Sequence, residues 1–155
     1  MKREELFKAS LQPNCSLKEA LETLGVEELK GVCFYIQLAE EQKGEKESLI
    51  AYILEKLPDA ARRFAFSFDL ERFDLFQSML NVGGVLCANK LSVRKILALR
   101  DLGLAFPTMQ DGECVLVIPQ EIQDVLCSLN RELWGDAADY NTKLLQRAQG
   151  AVQLY

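Results

Sequence analysis

Apolar residues recur every three or four positions along most of the chain, and short polar, glycine or proline segments separate the apolar stripes. This spacing places the apolar side chains on one face of a helix. The predicted helices span residues 2–11, 17–24, 26–41, 45–57, 70–80, 89–102, 120–133 and 136–155. The pattern therefore predicts a mainly helical protein.

Several boundaries carry residues that begin or end helices. Ser16 and Glu19 have the spacing of a capping box, in which two side chains accept hydrogen bonds from backbone amides of the first turn. Asp69 is predicted to be the N-cap of the helix over 70–80. Gly25 is expected in the left-handed conformation that ends a helix, and Pro58 is expected to stop the helix before it.

One segment departs from the helical period. In LGLAFPTMQDGECVLVIPQEI, residues 102–122, two apolar runs flank Asp111-Gly112. Glycine tolerates the positive φ of a tight hairpin turn, so two paired strands are predicted, and Pro107 disfavours a central position for the first strand. Residues 65–68 and 85–87 are further short strand candidates. The predicted fold class is mainly α with a small β-hairpin, with only a minor α+β character.

The composition excludes several kinds of chemistry. The chain has no histidine, which removes Ser-His-Asp and Cys-His catalysis and histidine-based metal sites. No two of its five cysteines are closer than 13 residues, so a CxxC metal or redox pair is absent. Glycine-rich phosphate-binding motifs and the GxSxG motif are also missing. We therefore expect no enzyme, cofactor or metal, and no small-molecule substrate is evident.

Charge and hydropathy set the expected location. The formal net charge of −5 gives no general attraction to nucleic acid or to an anionic membrane. The first residues are charged and lack the apolar core of a signal peptide, and no run is apolar enough to span a membrane. A cytoplasmic location with reduced thiols is predicted.

Residues 26–57, VEELKGVCFYIQLAEEQKGEKESLIAYILEKL, contain a Leu-Lys pair in the first helix, a Lys43-Gly44 bend and a KxxLI helix start at Lys46. This arrangement resembles the small helix–extended–helix modules of the SAP and Rho N-terminal type. Those modules often bind DNA or RNA, so the resemblance implies nucleic-acid contacts from Lys43 and Lys46.

Residues 69–134 follow the order helix, strand, helix, hairpin and helix, which resembles a winged helix. The 15 residues between Cys87 and Gly103 suffice for one helix, where an intact winged helix has two. The window from residue 77 to residue 100 has no acidic residue. A nucleic-acid contact here would use its four cations, namely Lys90, Arg94, Lys95 and Arg100.

The order of these parts also resembles uncharacterised bacterial proteins in which a helical front end and a reduced winged helix precede further domains. The matching segments are residues 102–122 and the closing NTKLLQRAQGAVQLY, residues 141–155. Some of those proteins end in a short SEC-C zinc tail. Its metal ligands do not occur here, so the resemblance implies no zinc.

The predicted organisation is a helical module of residues 1–57, a winged-helix-like module of 58–134 and a C-terminal helix of 135–155. An apolar stripe runs to the last residue, as expected of a chain cut from something longer or of a helix that docks on a partner. The alternative is that this stripe packs on its own domain. The candidate partner-binding residues are Leu145, Val152, Leu154 and Tyr155.

Two functions follow from these patterns. The first is a non-catalytic adaptor that binds another protein or a second copy of itself. The alternative is a DNA- or RNA-binding regulator that uses the basic helix. Residues 1–57 contain eight Lys and Arg against eleven Asp and Glu, and this negative balance opposes phosphate binding. The charge favours the adaptor.

Overall fold

The computed structural model describes residues 3–37 and 44–134. Within these ranges it has seven helices, α1 (Arg3–Leu6), α2 (Leu17–Glu22), α3 (Val26–Gln37), α4 (Lys46–Phe66), α5 (Leu70–Asn81), α6 (Val93–Asp101) and α7 (Gln120–Trp134). It also has three strands, β1 (Val85–Cys87), β2 (Phe106–Gln110) and β3 (Glu113–Val117). The predicted fold class, mainly α with a small β element, is confirmed.

The three strands form one antiparallel sheet in the order β1-β3-β2. Asp111 and Gly112 connect β2 to β3 with φ angles of 51° and 80°. Two consecutive positive φ angles are typical of the type I′ turn of a two-residue hairpin. The predicted hairpin is confirmed, and Pro107 lies in an edge strand as expected. α6 is the single helix between β1 and β2.

The N-terminal segment covers the outer edge of β2. The Met109 amide donates a hydrogen bond to the carbonyl of Ala9 at 3.0 Å. The Leu11 amide donates to Thr108 Oγ1 at 2.7 Å, and that hydroxyl donates to the carbonyl of Ala9 at 2.8 Å. An edge strand with unpaired backbone groups invites pairing with another chain. Here the protein's own first residues occupy part of that edge.

Helix α4 runs through the predicted border between residues 57 and 58. Pro58 lies inside the helix, so the expectation that it ends the helix is wrong. A proline within a helix removes one hydrogen bond and costs about 3 kcal/mol. The apolar stripe nevertheless continues past it, because Leu57, Ala60 and Ala61 are all buried. Buried side chains from both sides of the border belong to one apolar core.

Capping residues set the starts of three helices. Ser16 and Glu19 make both hydrogen bonds of the predicted capping box. The carboxylate of Asp69 caps α5, as predicted. Helix α6 begins later than predicted, at Val93, because Ser92 Oγ accepts a hydrogen bond from a backbone amide of the first turn.

Two other local predictions are wrong. Residues 65–68 do not form a strand; α4 extends to Phe66 and Ser67 is its C-cap. Gly25 is not among the glycines with positive φ, since α2 ends earlier with Thr23 as its C-cap. Helix α4 is therefore longer, and helix α2 shorter, than the local residue pattern predicts. No helix in the part of the chain that the structure describes is long and apolar enough to cross a membrane.

Candidate functional site

An apolar cavity of about 210 Å³ lies between the end of α4, the length of α5 and the second half of α7. Phe66, the last residue of α4, lies at the rim of the cavity, and 63% of its surface is exposed. Binding sites are usually concave and mostly apolar with a few polar groups, so this cavity is the candidate site. The cavity is lined by Ala65, Phe66, Phe68, Phe73, Phe76, Gln77, Leu80, Leu126, Leu129 and Asn130.

The sharp connection between α4 and α5 gathers the aromatic rings around this cavity. Ser67 ends α4, and Asp69 begins α5 by accepting a hydrogen bond from the Arg72 amide at 2.8 Å. The rings of Phe68 and Phe76 stack with their centroids 5.0 Å apart. Phe73 and Phe76 of this stretch are buried, whereas Phe66, in the last turn of α4, lies outside the core.

Two side-chain amides provide the polar part of the cavity wall. Gln77 Nε2 donates to Asn130 Oδ1 at 3.2 Å, and Asn130 Nδ2 donates to Gln77 Oε1 at 2.9 Å. Gln77 is only 6% exposed. Each amide group has a second donor hydrogen and a second acceptor lone pair, so the pair retains hydrogen-bonding capacity toward a bound group. The cavity can therefore take an apolar side chain together with one polar contact.

An ion pair joins α4 and α7 one helical turn away from the cavity. Arg62 Nη2 lies 2.7 Å from Glu132 Oε2. Their hydrogen bond raises the pKa of the Arg62 guanidinium and lowers the pKa of the Glu132 carboxyl. Both side chains are well exposed, so this pair contributes little to stability. It links the two helices whose ends frame the cavity.

The cysteines that have shifted pKa values are all poor nucleophiles. Burial is the main cause that raises the pKa of the Cys15 thiol to about 11, and repulsion from Glu19 adds to it. Burial also raises the pKa of the thiols of Cys33 and Cys127. A thiol with a raised pKa stays protonated at neutral pH, and the thiolate is the reactive form. Among residues 3–37 and 44–134, no group of three or more His, Cys, Asp or Glu could hold a metal ion.

The four cations of the basic window are placed differently from one another. Lys90 and Arg94 are exposed. Lys95 pairs with Glu71 across the groove between α5 and α6. Arg100 is buried, with 8% of its surface exposed, so it does not present its charge to a nucleic acid as the other three cations could. The window therefore does not form one continuous cationic face.

Of the two lysines of the predicted N-terminal module, Lys46 is the one that the structure describes. Lys46 Nζ donates a hydrogen bond to the carbonyl of Glu22 at 2.8 Å, at the end of α2. Lys43 lies outside the residues that the structure describes, and so does the partner-binding stripe of Leu145, Val152, Leu154 and Tyr155. The nucleic-acid contacts and the stripe both stay predictions.

The cavity itself was not predicted from the sequence. Its phenylalanines occur in one stretch, but the partners on α7 follow some fifty residues later in the chain: Gln77 and Asn130 are 53 positions apart. Polar residues at Gln77 and Asn130 within otherwise apolar helix faces were the only available signal. Comparison with known proteins gives no assignment, since no family model, curated protein or solved structure matches the chain.

Proposed function

We propose that the chain is a non-catalytic protein-interaction module that takes apolar side chains of a partner protein into the cavity between α4, α5 and α7. The observation that carries the proposal is the exposure of Phe66 at the rim of a cavity walled by phenylalanine and leucine. Full burial of a phenylalanine contributes about 1.5–3 kcal/mol, and most of that gain is still available at Phe66.

The cavity chemistry suits an amphipathic helix as the partner. A helix lays one or two large apolar side chains into a groove and leaves its polar face in water. The amide pair of Gln77 and Asn130 offers a hydrogen bond to a polar atom of the incoming segment. The protonated thiols and the absence of histidine support a module without catalysis. The proposal places it in the cytoplasm, where the thiols stay reduced.

Site-specific photo-crosslinking in cells tests this proposal. p-Benzoylphenylalanine placed at Phe66 is expected to crosslink to a distinct protein, because the reactive ring would lie inside the complex. The matched control is the same group at Phe34, an aromatic residue of α3 that is 53% exposed and does not line the cavity. With the crosslinker moved to Val82, an adduct that forms in the parent protein should be lost in the Phe66→Ala variant. Equal crosslinking from the positions of Phe66 and Phe34 would refute a cavity-specific partner.

Nucleic-acid binding is the second candidate function, and the exposure of Lys90 and Arg94 favours it. Neither side chain has an ion pair with any described residue. Under this function the chain should retard a generic DNA or RNA duplex, with affinity falling steeply as salt rises. Arg94→Glu should abolish the retardation, whereas Lys18→Glu, an equal charge change on α2, should not. No retardation at low salt would exclude this function.

A further inference from the structure

Arg100 is a buried cation that lacks a good partner among the residues the structure describes. It is in the last turn of α6 and is 8% exposed. Its Nε is buried without a hydrogen bond. The single ion pair it makes within the described ranges is to Asp101, and that contact is long, 3.9 Å from Nη2 to Oδ1.

A guanidinium group in this state is unusual. It carries five N–H donors in a planar fork that matches a carboxylate or phosphate. Buried charged groups are nearly always paired, and an unsatisfied buried donor in a folded protein calls for a specific cause such as a bound ion. The contact to Asp101 is too long for a hydrogen bond. Arg100 therefore has donors that no described residue satisfies and that a ligand or water could satisfy.

Arg100 lines a small cavity beside the N-terminal segment. The cavity measures about 160 Å³ and lies between residues 5–9, the end of α2, the start of α3 and Pro107 of β2. It has room for several waters or one small ligand. Glu28 also lines the cavity and is half-buried. The exposed side chains of Glu5 and Lys8 lie at its mouth.

The positive charge of Arg100 is more deeply buried than the negative charges near it. The cation of Arg100 is buried, whereas Glu28 and Asp101 are partly exposed. Burial raises the pKa of the Asp101 carboxyl; nearby Arg100 opposes this shift, and the charge of Glu28 adds to it. Glu28 and Asp101 therefore lie close enough to repel each other beside a single guanidinium.

We infer that this cavity binds a small zwitterionic ligand of the amino-acid class. Its carboxylate would accept two parallel hydrogen bonds from the Arg100 guanidinium, and its ammonium group would face Glu28. A simple anion would satisfy Arg100 but would be repelled by the carboxylate of Glu28, which is half-buried, whereas the cation Lys8 is exposed at the mouth beside Glu5. A zwitterion can pair its carboxylate with Arg100 and its ammonium group with Glu28. The site is independent of the helix cavity and of the proposed partner.

Three matched probes test the inference on the full chain by ¹H–¹⁵N NMR at constant ionic strength. L-Alanine carries both charges, propionate lacks only the ammonium group, and L-alaninamide lacks only the carboxylate. L-Alanine is expected to shift the amide signals of Ala9 and Leu24 saturably, because both residues line the cavity. Propionate should bind at least threefold more weakly than L-alanine, and L-alaninamide at least tenfold more weakly.

Two variants assign the two ends of the ligand. Arg100→Lys keeps the charge but loses the fork, so it should weaken L-alanine binding at least tenfold. Arg94→Lys, the same change on the exposed face of α6, should leave binding unchanged. Glu28→Gln should remove the preference for L-alanine over propionate. This variant keeps the test decisive if Arg100→Lys does not fold.

Several outcomes would overturn the inference. These are an absence of saturable shifts with L-alanine, equal binding of propionate and L-alanine, and tighter binding of inorganic phosphate than of L-alanine. The result is separable from the proposed function, because Phe66→Ala changes the helix cavity and should leave the L-alanine titration unchanged. Loss of partner crosslinking at Phe66 would likewise say nothing against the Arg100 site.

Discussion

Gln77 of α5 and Asn130 of α7 hold each other by two reciprocal amide hydrogen bonds, of 3.2 Å and 2.9 Å, inside the wall of an otherwise apolar cavity. The pair explains why two polar residues occupy inward positions on neighbouring helices. It also makes each residue dependent on the other, because either amide alone would be left partly buried without its partner.

A double-mutant cycle tests this dependence. Gln77→Leu alone should destabilise the fold by about 1–3 kcal/mol, since it leaves the partly buried amide of Asn130 without its hydrogen-bond partner. The double variant Gln77→Leu/Asn130→Leu should recover most of that loss, because both polar groups are removed together. Urea unfolding measures Gln77→Leu, Asn130→Leu and the double variant. Additive effects of the two single changes would contradict the coupling.

Local features of the fold were predictable from neighbouring residues. Asp111-Gly112 between two apolar runs predicts a hairpin because the turn needs positive φ at two successive positions, and both angles are positive. The capping box of Ser16 and Glu19 and the cap at Asp69 are equally local, since each side chain bonds an amide within three residues. Such signals need no knowledge of the rest of the chain.

The features that were missed depend on distant contacts. Pro58 is tolerated in α4 because the buried alanines beyond it pack on other helices, and this energy is invisible to a local helix-stop pattern. Arg100 lines a cavity together with an N-terminal segment over ninety positions away from it in the sequence, including Glu5. Helical periodicity can assign a residue to a face of its helix, but it cannot show which distant segments cover that face.

Gly112 and Gly31 form a matched pair for the hairpin turn. A Cβ at either position would have no atom within 4 Å, so packing is not the difference between them. Gly112 has a φ of 80°, and Gly112→Ala should therefore destabilise the protein by about 1–2 kcal/mol. Gly31 lies within α3, and Gly31→Ala should stabilise by about 0.5–1 kcal/mol. Equal effects of the two changes in thermal unfolding would contradict this account.

Pro58→Ala should raise the free energy of unfolding. Alanine restores an amide that can donate within α4 and removes the ring from the helix interior, and the expected gain is about 1–3 kcal/mol. Part of that gain is lost because alanine leaves the unfolded chain more flexible than proline does.

Pro119→Ala is the matched control for Pro58→Ala. Pro119 precedes α7, where the first amides of a helix have no partner in any case, so no helical hydrogen bond would be gained. Chemical unfolding in urea compares the two variants with the parent protein. If Pro58→Ala is no more stable than the parent, the expected gain is contradicted, and the backbone of α4 is already adjusted to the proline ring.

The thiol of Cys15 predicts a specific loss of stability in alkali. Its pKa in the folded protein is about 11, against 9.0 ordinarily, chiefly because the side chain is buried. A raised folded pKa means that the unfolded chain releases the proton first, so the contribution is complete below pH 9 and is lost as pH rises through about 11. A shift of this size corresponds to roughly 2–3 kcal/mol.

Cys15→Ala should therefore lose less stability than the parent between these pH values, measured by urea unfolding at each pH. Cys87→Ala, at an exposed cysteine, should follow the parent curve. A parallel response of all three proteins would show that the fold does not raise the pKa of the Cys15 thiol.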